Sequence, residues 1–252
     1  MSDSEHSIYP QALHLHPTAE LAERVLLPGD PGRALALAQT LLVEPRMFNH
    51  HRGLWGYTGP ARLDSEPLTI QATGMGGPSA AIVLSELIAL GARRVIRVGT
   101  CGALRPELKL GELVIARESV CRDGTSRALG AGERVRADPG LTAALIAAAP
   151  TAHAGPVVSV DLFYDERSHR PAGTHATSGA IAIEMESATL LALGARADVP
   201  VACVLIVTDT FTDDGPRPPT RARIDDRALL SAAESMGAAA VAALGGDRMS
   251  AA

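Results

Sequence analysis

Three arginines of this 252-residue chain stand beside turns that glycine makes permissive. Arg33 follows Gly29-Asp30-Pro31-Gly32, Arg52 precedes Gly53, and Arg97 comes just before Gly99-Thr100. A guanidinium is a fork of donors matched to phosphate or carboxylate, and glycine lets backbone come close to a ligand. Together they point to a clamp for a small anion, phosphate above all. Arg97 interrupts the apolar run Val95 to Val98. An unpaired guanidinium is costly to bury, so Arg97 needs a partner. Two readings of that partner stand level. In one, a loop after Gly99 offers free amides and the Thr100 hydroxyl to an anion at a strand's carboxyl end. In the other, a core carboxylate holds a structural arginine.

Carboxylates supply the second kind of chemistry. Glu184 and Glu186 flank Met185 where a strand turns into a helix. Alternate strand positions share a face, so both can serve one site; otherwise they are acids favoured by a helix N-terminus. Asp209 ends the most apolar strand of the chain. There it can donate a proton or read a base, or simply shape a turn. Phe163 lies beside acidic residues and offers a face to a planar ligand, or a core side chain. No Walker A pattern is present, and neither Gly74-Met75-Gly76-Gly77-Pro78-Ser79 nor the segment at Gly99 completes a dinucleotide fingerprint. No cofactor is expected, and Cys101, Cys121 and Cys203 form no zinc pattern.

The elements that must position these groups alternate strand and helix. Strands are expected at Arg24–Leu27, Leu68–Ala72, Arg94–Val98, Leu113–Ala116, Val157–Val160, Ala180–Ile183 and Val201–Val207. Helices are expected from about Gly32 to Leu42, with Asp30 as cap and Pro31 in the first turn, from about Ser79 to Leu90, from Leu141 to Ala148, through the Glu184–Ala188 stretch to about Arg196, and from Ile224 to Leu244. Residues 1–12 read as a poorly ordered start, 122–136 as a surface loop, 166–179 as a flexible flap and 212–220 as a Pro-rich loop. No break in composition divides the chain. The fold class is α/β, a single domain over 1–252 with a central mixed sheet flanked by helices.

Composition narrows the function. The net charge of -5 argues against a nucleic-acid binder. Three scattered cysteines suit a reducing compartment. The polar N-terminus has no apolar signal core, and no apolar run is expected to cross a membrane. A soluble cytoplasmic protein is the expectation.

Five ordered stretches then carry a resemblance: Val25 to Arg33, His51 to Gly59, Thr73 to Ser79, Arg97 to Ala103 and Glu184 to Ala188. From His14 to about Leu244 the chain resembles the hexameric purine nucleoside phosphorylase and uridine phosphorylase family. The resemblance implies phosphorolysis, in which orthophosphate attacks the anomeric carbon of a nucleoside and releases the free base. It implies phosphate ligands at Gly29, Arg33, Arg97 and Thr100, with Arg52 lent by a neighbouring subunit. It implies that Glu186 grips the ribose hydroxyls, that Glu184 and Met185 belong to the nucleoside site, and that Met75 lies on the sugar side and Phe163 near the base. His14 matches the histidine that reaches the 5′-hydroxyl across a dimer interface, with His16 the alternative. Asp209 matches the acid facing the purine, and Arg221 its helper, with Arg217 and Arg223 as rivals. The implied assembly is a hexamer built as a trimer of dimers, with nucleoside and phosphate as its only partners.

Purine is favoured over uracil, because Phe163-Tyr164 is followed by Asp165-Glu166-Arg167, without the glutamine of uridine phosphorylases. The run from Glu184 to Leu191 nevertheless resembles theirs. A uridine or methylthioadenosine phosphorylase is therefore the alternative. Beyond those stand a nucleosidase using water, which would need no anion clamp, and a non-catalytic nucleoside-binding protein.

Overall fold

The computed structural model describes residues 12–164, 178–212 and 220–245. In chain order its elements are β1 (Arg24–Leu27), α1 (Pro31–Leu41), β2 (Arg46–Asn49), β3 (Gly56–Pro60), β4 (Pro67–Gln71), α2 (Gly77–Leu90), β5 (Arg94–Ala103), β6 (Leu113–Arg122), α3 (Gly124–Ala128), β7 (Arg134–Arg136), α4 (Pro139–Ala148), β8 (His153–Val160), β9 (Ala182–Glu184), α5 (Ser187–Ala197), β10 (Val201–Thr212), β11 (Thr220–Arg223) and α6 (Asp226–Gly245). The strands form one mixed sheet in the order β11-β10-β6-β8-β9-β5-β1-β4-β3-β2, with β7 beside β6. Helices cover both faces. On one, α1, α4 and α6 bury Leu26, Ile96, Val98, Val204 and Ile206. On the other, α2 and α5 bury Val25, Leu27, Val95 and Val201. This is the expected α/β architecture.

The sheet also closes on itself. Because β10 pairs with β5 as well as β6, the strands β10, β6, β8, β9 and β5 form a ring. So small a ring is filled by its own inward side chains. Cys101, Ala103, Val114, Ala116, Val157, Ala182, Cys203, Leu205 and Val207 pack together there. On the same strand faces, further along, come Arg97, Ser159 and Glu184. Ser119 joins them, because it pairs with Val157 after a bulge in β6. The inside of the ring therefore has an apolar end and a polar end.

Four expectations are corrected. Gly99 does not end its strand. β10 matches β5 residue for residue from Val201 opposite Val95 to Val207 opposite Cys101, so the amides after Gly99 join a ladder instead of a loop. Residues 122–136 are not a loop: Asp123 caps α3 by accepting the Ser126 N–H at 2.7 Å, and β7 pairs with β6. Arg221 to Arg223, unassigned in the sequence pattern, belong to β11, antiparallel to β10. Finally, α6 has an apolar window of mean hydropathy 1.4 and is by length and composition able to cross a membrane. Its Ala233, Met236, Ala240, Val241 and Leu244 are buried against the sheet, as in a core helix. The expected ragged start, the flap and the Pro-rich loop lie almost wholly outside the described residues, and Arg217 with them.

Candidate active site

The anion end begins where β1 and β4 run out. Thr73 donates its N–H to the Pro28 carbonyl at 2.9 Å and Gly74 to that of Gly29 at 3.0 Å, so two glycine loops lie side by side. A Cβ on Gly29 would stand 3.3 Å from the Gly74 oxygen. Asp30 caps α1 by accepting the Arg33 N–H at 2.7 Å. This places Arg33 in the first turn, where the helix dipole favours an anion. Its Nε is buried without a partner among the described residues. Burial pushes the Arg33 guanidinium below its ordinary pKa; Asp30 opposes that shift and nearby Arg97 adds to it.

Arg97 follows the reading in which core carboxylates hold it. Its Nε donates to Glu184 at 3.1 Å and its Nη2 to Glu186, while its Nη1 is buried with no partner among the described residues. Two of its three nitrogens are therefore engaged by core carboxylates. Burial works against the charge of Arg97, but Glu186 and Glu184 outweigh it and hold the guanidinium above its ordinary pKa. Gly99 makes the arrangement possible, since a Cβ there would lie 2.7 Å from Arg97 Cζ. Glu186 also accepts the Gly76 N–H at 2.5 Å. Burial raises Glu186 above the usual carboxylate range, against the pull of Arg97 and with the push of Glu184.

Glu184, which the resemblance puts in the nucleoside site, lines the cavity with its carboxylate engaged by protein donors. It accepts from Arg97, from the Ser159 hydroxyl and from the amides of Glu186 and Ser187 at 2.9 Å. Its part is to hold Arg97.

At the other end, a bulge between Val207 and Asp209 re-aims β10 and sets Asp209 opposite Gly102 of β5. The pairing of β11 places Arg223 opposite Asp209 and Arg221 two residues along the same face. Arg221 Nε donates to Asp209 Oδ1 at 2.9 Å. Arg223 Nε stands 3.4 Å from the same oxygen, on a side chain 73% exposed against 26% for Arg221. The Thr208 hydroxyl lies 3.0 Å from Asp209 Oδ2. The Arg221 guanidinium stacks over Phe163, 4.5 Å from the ring centroid.

Both ends line one cavity of about 390 Å³. It brings together Gly29, Arg33, Met75, Arg97, Thr100, Phe163, Glu184, Met185, Glu186, Asp209 and Arg221. Met75 is 88% exposed at its edge. His14 and Arg52 do not line it. The His14 Nδ1 pairs with Glu86 Oε1 at 2.6 Å, and Arg52 is exposed with a left-handed φ of 58°. His16, the alternative to His14, stacks on His51 with 3.8 Å between centroids. The apolar walls Val160, Leu162 and Ile183 escaped the sequence reading. Only the place of Val160 and Ile183 on strands, and of Leu162 next to Phe163, could have signalled them.

An anion end and an acid end in one cavity suit the transfer of a group onto a bound oxyanion. The sequence profile of the phosphorylase superfamily matches residues 23–244. The chain belongs to the phosphorylase superfamily. Among curated relatives, it is similar to the DeoD-type purine nucleoside phosphorylase of Geobacillus kaustophilus, with 34% identity over 76% of this chain and 83% of the relative. It is similar also to that of Jannaschia sp., at 38% over 75% of this chain and 83% of the relative. A third, from Roseobacter denitrificans, is 36% identical over 75% and 83%. In this superfamily member every matched site motif falls within the profile except His14.

Proposed function

We propose that the chain is a purine nucleoside phosphorylase, which cleaves the N-glycosidic bond of purine ribonucleosides and deoxyribonucleosides with phosphate to give free base and pentose 1-phosphate. One observation carries this: Arg33 and Arg97, each with a buried nitrogen that has no partner among the described residues, line one cavity with the Asp209–Arg221 pair. The arginines, with Gly29 and Thr100, hold orthophosphate beneath the sugar. Glu186 accepts from the ribose hydroxyls, and Met185 and Met75 pack on the sugar. As the glycosidic bond lengthens, positive charge grows on the pentose beside the phosphate anion, which is already in place to attack. Negative charge flows into the base. Asp209, steadied by Arg221, delivers a proton or hydrogen bond to it, while Phe163 lies along its face. Orthophosphate is a substrate and no cofactor is called for.

His14 and Arg52, outside this cavity, serve the site of a neighbouring subunit. The assembly is a closed hexamer built as a trimer of dimers. Three buried free cysteines suit the cytoplasm. The test is release of free base from inosine, adenosine, guanosine, uridine and methylthioadenosine, each with and without phosphate. Purine release that requires phosphate is expected. Uridine as best substrate would overturn the assignment of Asp209, and release without phosphate that of the arginines. An active monomer on sedimentation would remove the roles of His14 and Arg52.

A further inference from the structure

The polar end of the strand ring holds a hydroxyl pair that the proposed chemistry does not use. Ser119 and Ser159 are fully buried, with 3.0 Å between their oxygens. Ser159 donates its proton to Glu184 Oε1 and accepts the Ala188 N–H at 2.8 Å. A serine hydroxyl has one proton and two lone pairs. With the proton on Glu184, the proton between the two serines must come from Ser119. Ser159 is then saturated: it donates once and accepts twice.

From these contacts we infer that Ser159 is a positioning residue for phosphate, acting through Glu184 on Arg97. The proposal rests on the phosphorylase reading of the site. Ser159 is the penultimate residue of β8 and Ala188 the second of α5, so one hydroxyl ties that strand to that helix and to the carboxylate between them. Glu184 in turn holds Arg97 Nε, and Glu186 holds Nη2. A guanidinium is planar, so fixing two nitrogens fixes the direction of the third. The third, Nη1, is a buried donor without a partner among the described residues. Without the Ser159 proton, Glu184 Oε1 still has the Ser187 amide at 2.9 Å and can turn towards it. Arg97 then loses one of the two anchors that aim it. The effect falls on the anion end, because the hydrogen bonds of Ser159 run to Ser119, Glu184 and Ala188.

The test measures binding of inorganic phosphate by calorimetry, and KM for phosphate and for the best nucleoside, in the full-length assembled protein. Ser159→Ala should weaken phosphate binding roughly tenfold, the scale of a lost hydrogen bond to a charged group. Its nucleoside KM should stay within about twofold. Ser119→Ala deletes a neighbouring buried hydroxyl but leaves the Ser159–Glu184 bond, and phosphate binding should stay within about twofold. Ser159→Thr keeps the hydroxyl and should bind phosphate as the parent does, which scores the proposal even if the alanine variant fails to fold. Unchanged phosphate binding in Ser159→Ala, an equal rise in both KM values, or equal losses in the threonine and alanine variants would overturn it. If the parent binds phosphate but releases no base with it, phosphorolysis fails while the calorimetry still judges Ser159.

Discussion

The two ends of the cavity are built differently. At the anion end, Arg97 is 3% exposed and locked by two carboxylates, of which Glu184 also accepts from two amides and a serine and Glu186 from the Gly76 amide. At the acid end, Asp209 takes its charge partners from β11, an edge strand, and one of the two, Arg223, is largely in water. Phosphate is the same in every turnover, so a rigid seat with a fixed charge serves it. The base varies and its proton must move, so a partly open pair that can rearrange serves better. Rigidity is bought here by burial: Arg97 keeps its charge because Glu184 and Glu186 repay the desolvation.

The largest expected effect breaks the rigid end. Arg97→Met strands two buried carboxylates and should cost about 3–5 kcal/mol of stability, on the scale of breaking a buried ion pair. Denaturant unfolding would measure this, and phosphate-dependent turnover should be lost with it. At the open end, Asp209→Asn should leave unfolding nearly unchanged while lowering kcat by about 10²–10⁴-fold, the range of general acid catalysis. The loss should be greater for 6-amino than for 6-oxo purines, whose bases leave more readily as anions. Equal losses would mean that Asp209 does not discriminate between them. If Asp209→Asn destabilised the protein as much as Arg97→Met, the contrast between the ends would fail.

Within the acid end, Arg221 and Arg223 can be separated. Arg221→Gln should lower kcat about tenfold, since it removes a hydrogen bond to a charged group. Arg223→Gln should change it less than twofold, as expected for an exposed pair. The smallest effect concerns the segment before the site. Ionised Glu86 accepts the amides of Leu13, His14 and Leu15 and pairs with His14. Burial opposes its charge, yet the His14 bond and the amides hold Glu86 below the usual carboxylate range. The contribution is thus complete above the unfolded value of about 4.3 and is lost as the pH falls through the lower folded one. Amide exchange at residues 13–16 should rise there before that of β5.

Much of this was legible in the residues. Asp30 before Pro31 marks a capped helix that presents Arg33, and the structure shows that cap. The lone charge in Val95 to Val98 demanded a partner and has two. What escaped were features set by distant chain. Gly99 reads as a strand end because glycine is poor in strands, but β10 lies alongside and its ladder carries β5 onward. Arg221 is preferred to its rival Arg223 only by alignment, and the pairing of β11 with β10 supplies the physical difference, leaving one largely shielded and the other in water.

By itself the sequence determined the alternating elements, the helix caps, the inventory of arginines and carboxylates, and the family, because each is written in local pattern or in ordered motifs. Only the tertiary structure decided that five strands close into a ring, that Glu184 serves Arg97, and which nitrogen of Arg97 is left for a ligand. Those outcomes depend on strand register between segments up to about a hundred residues apart, as with Arg97 and Cys203. A shift of one residue turns a side chain to the other face of the sheet, and no local pattern records that choice.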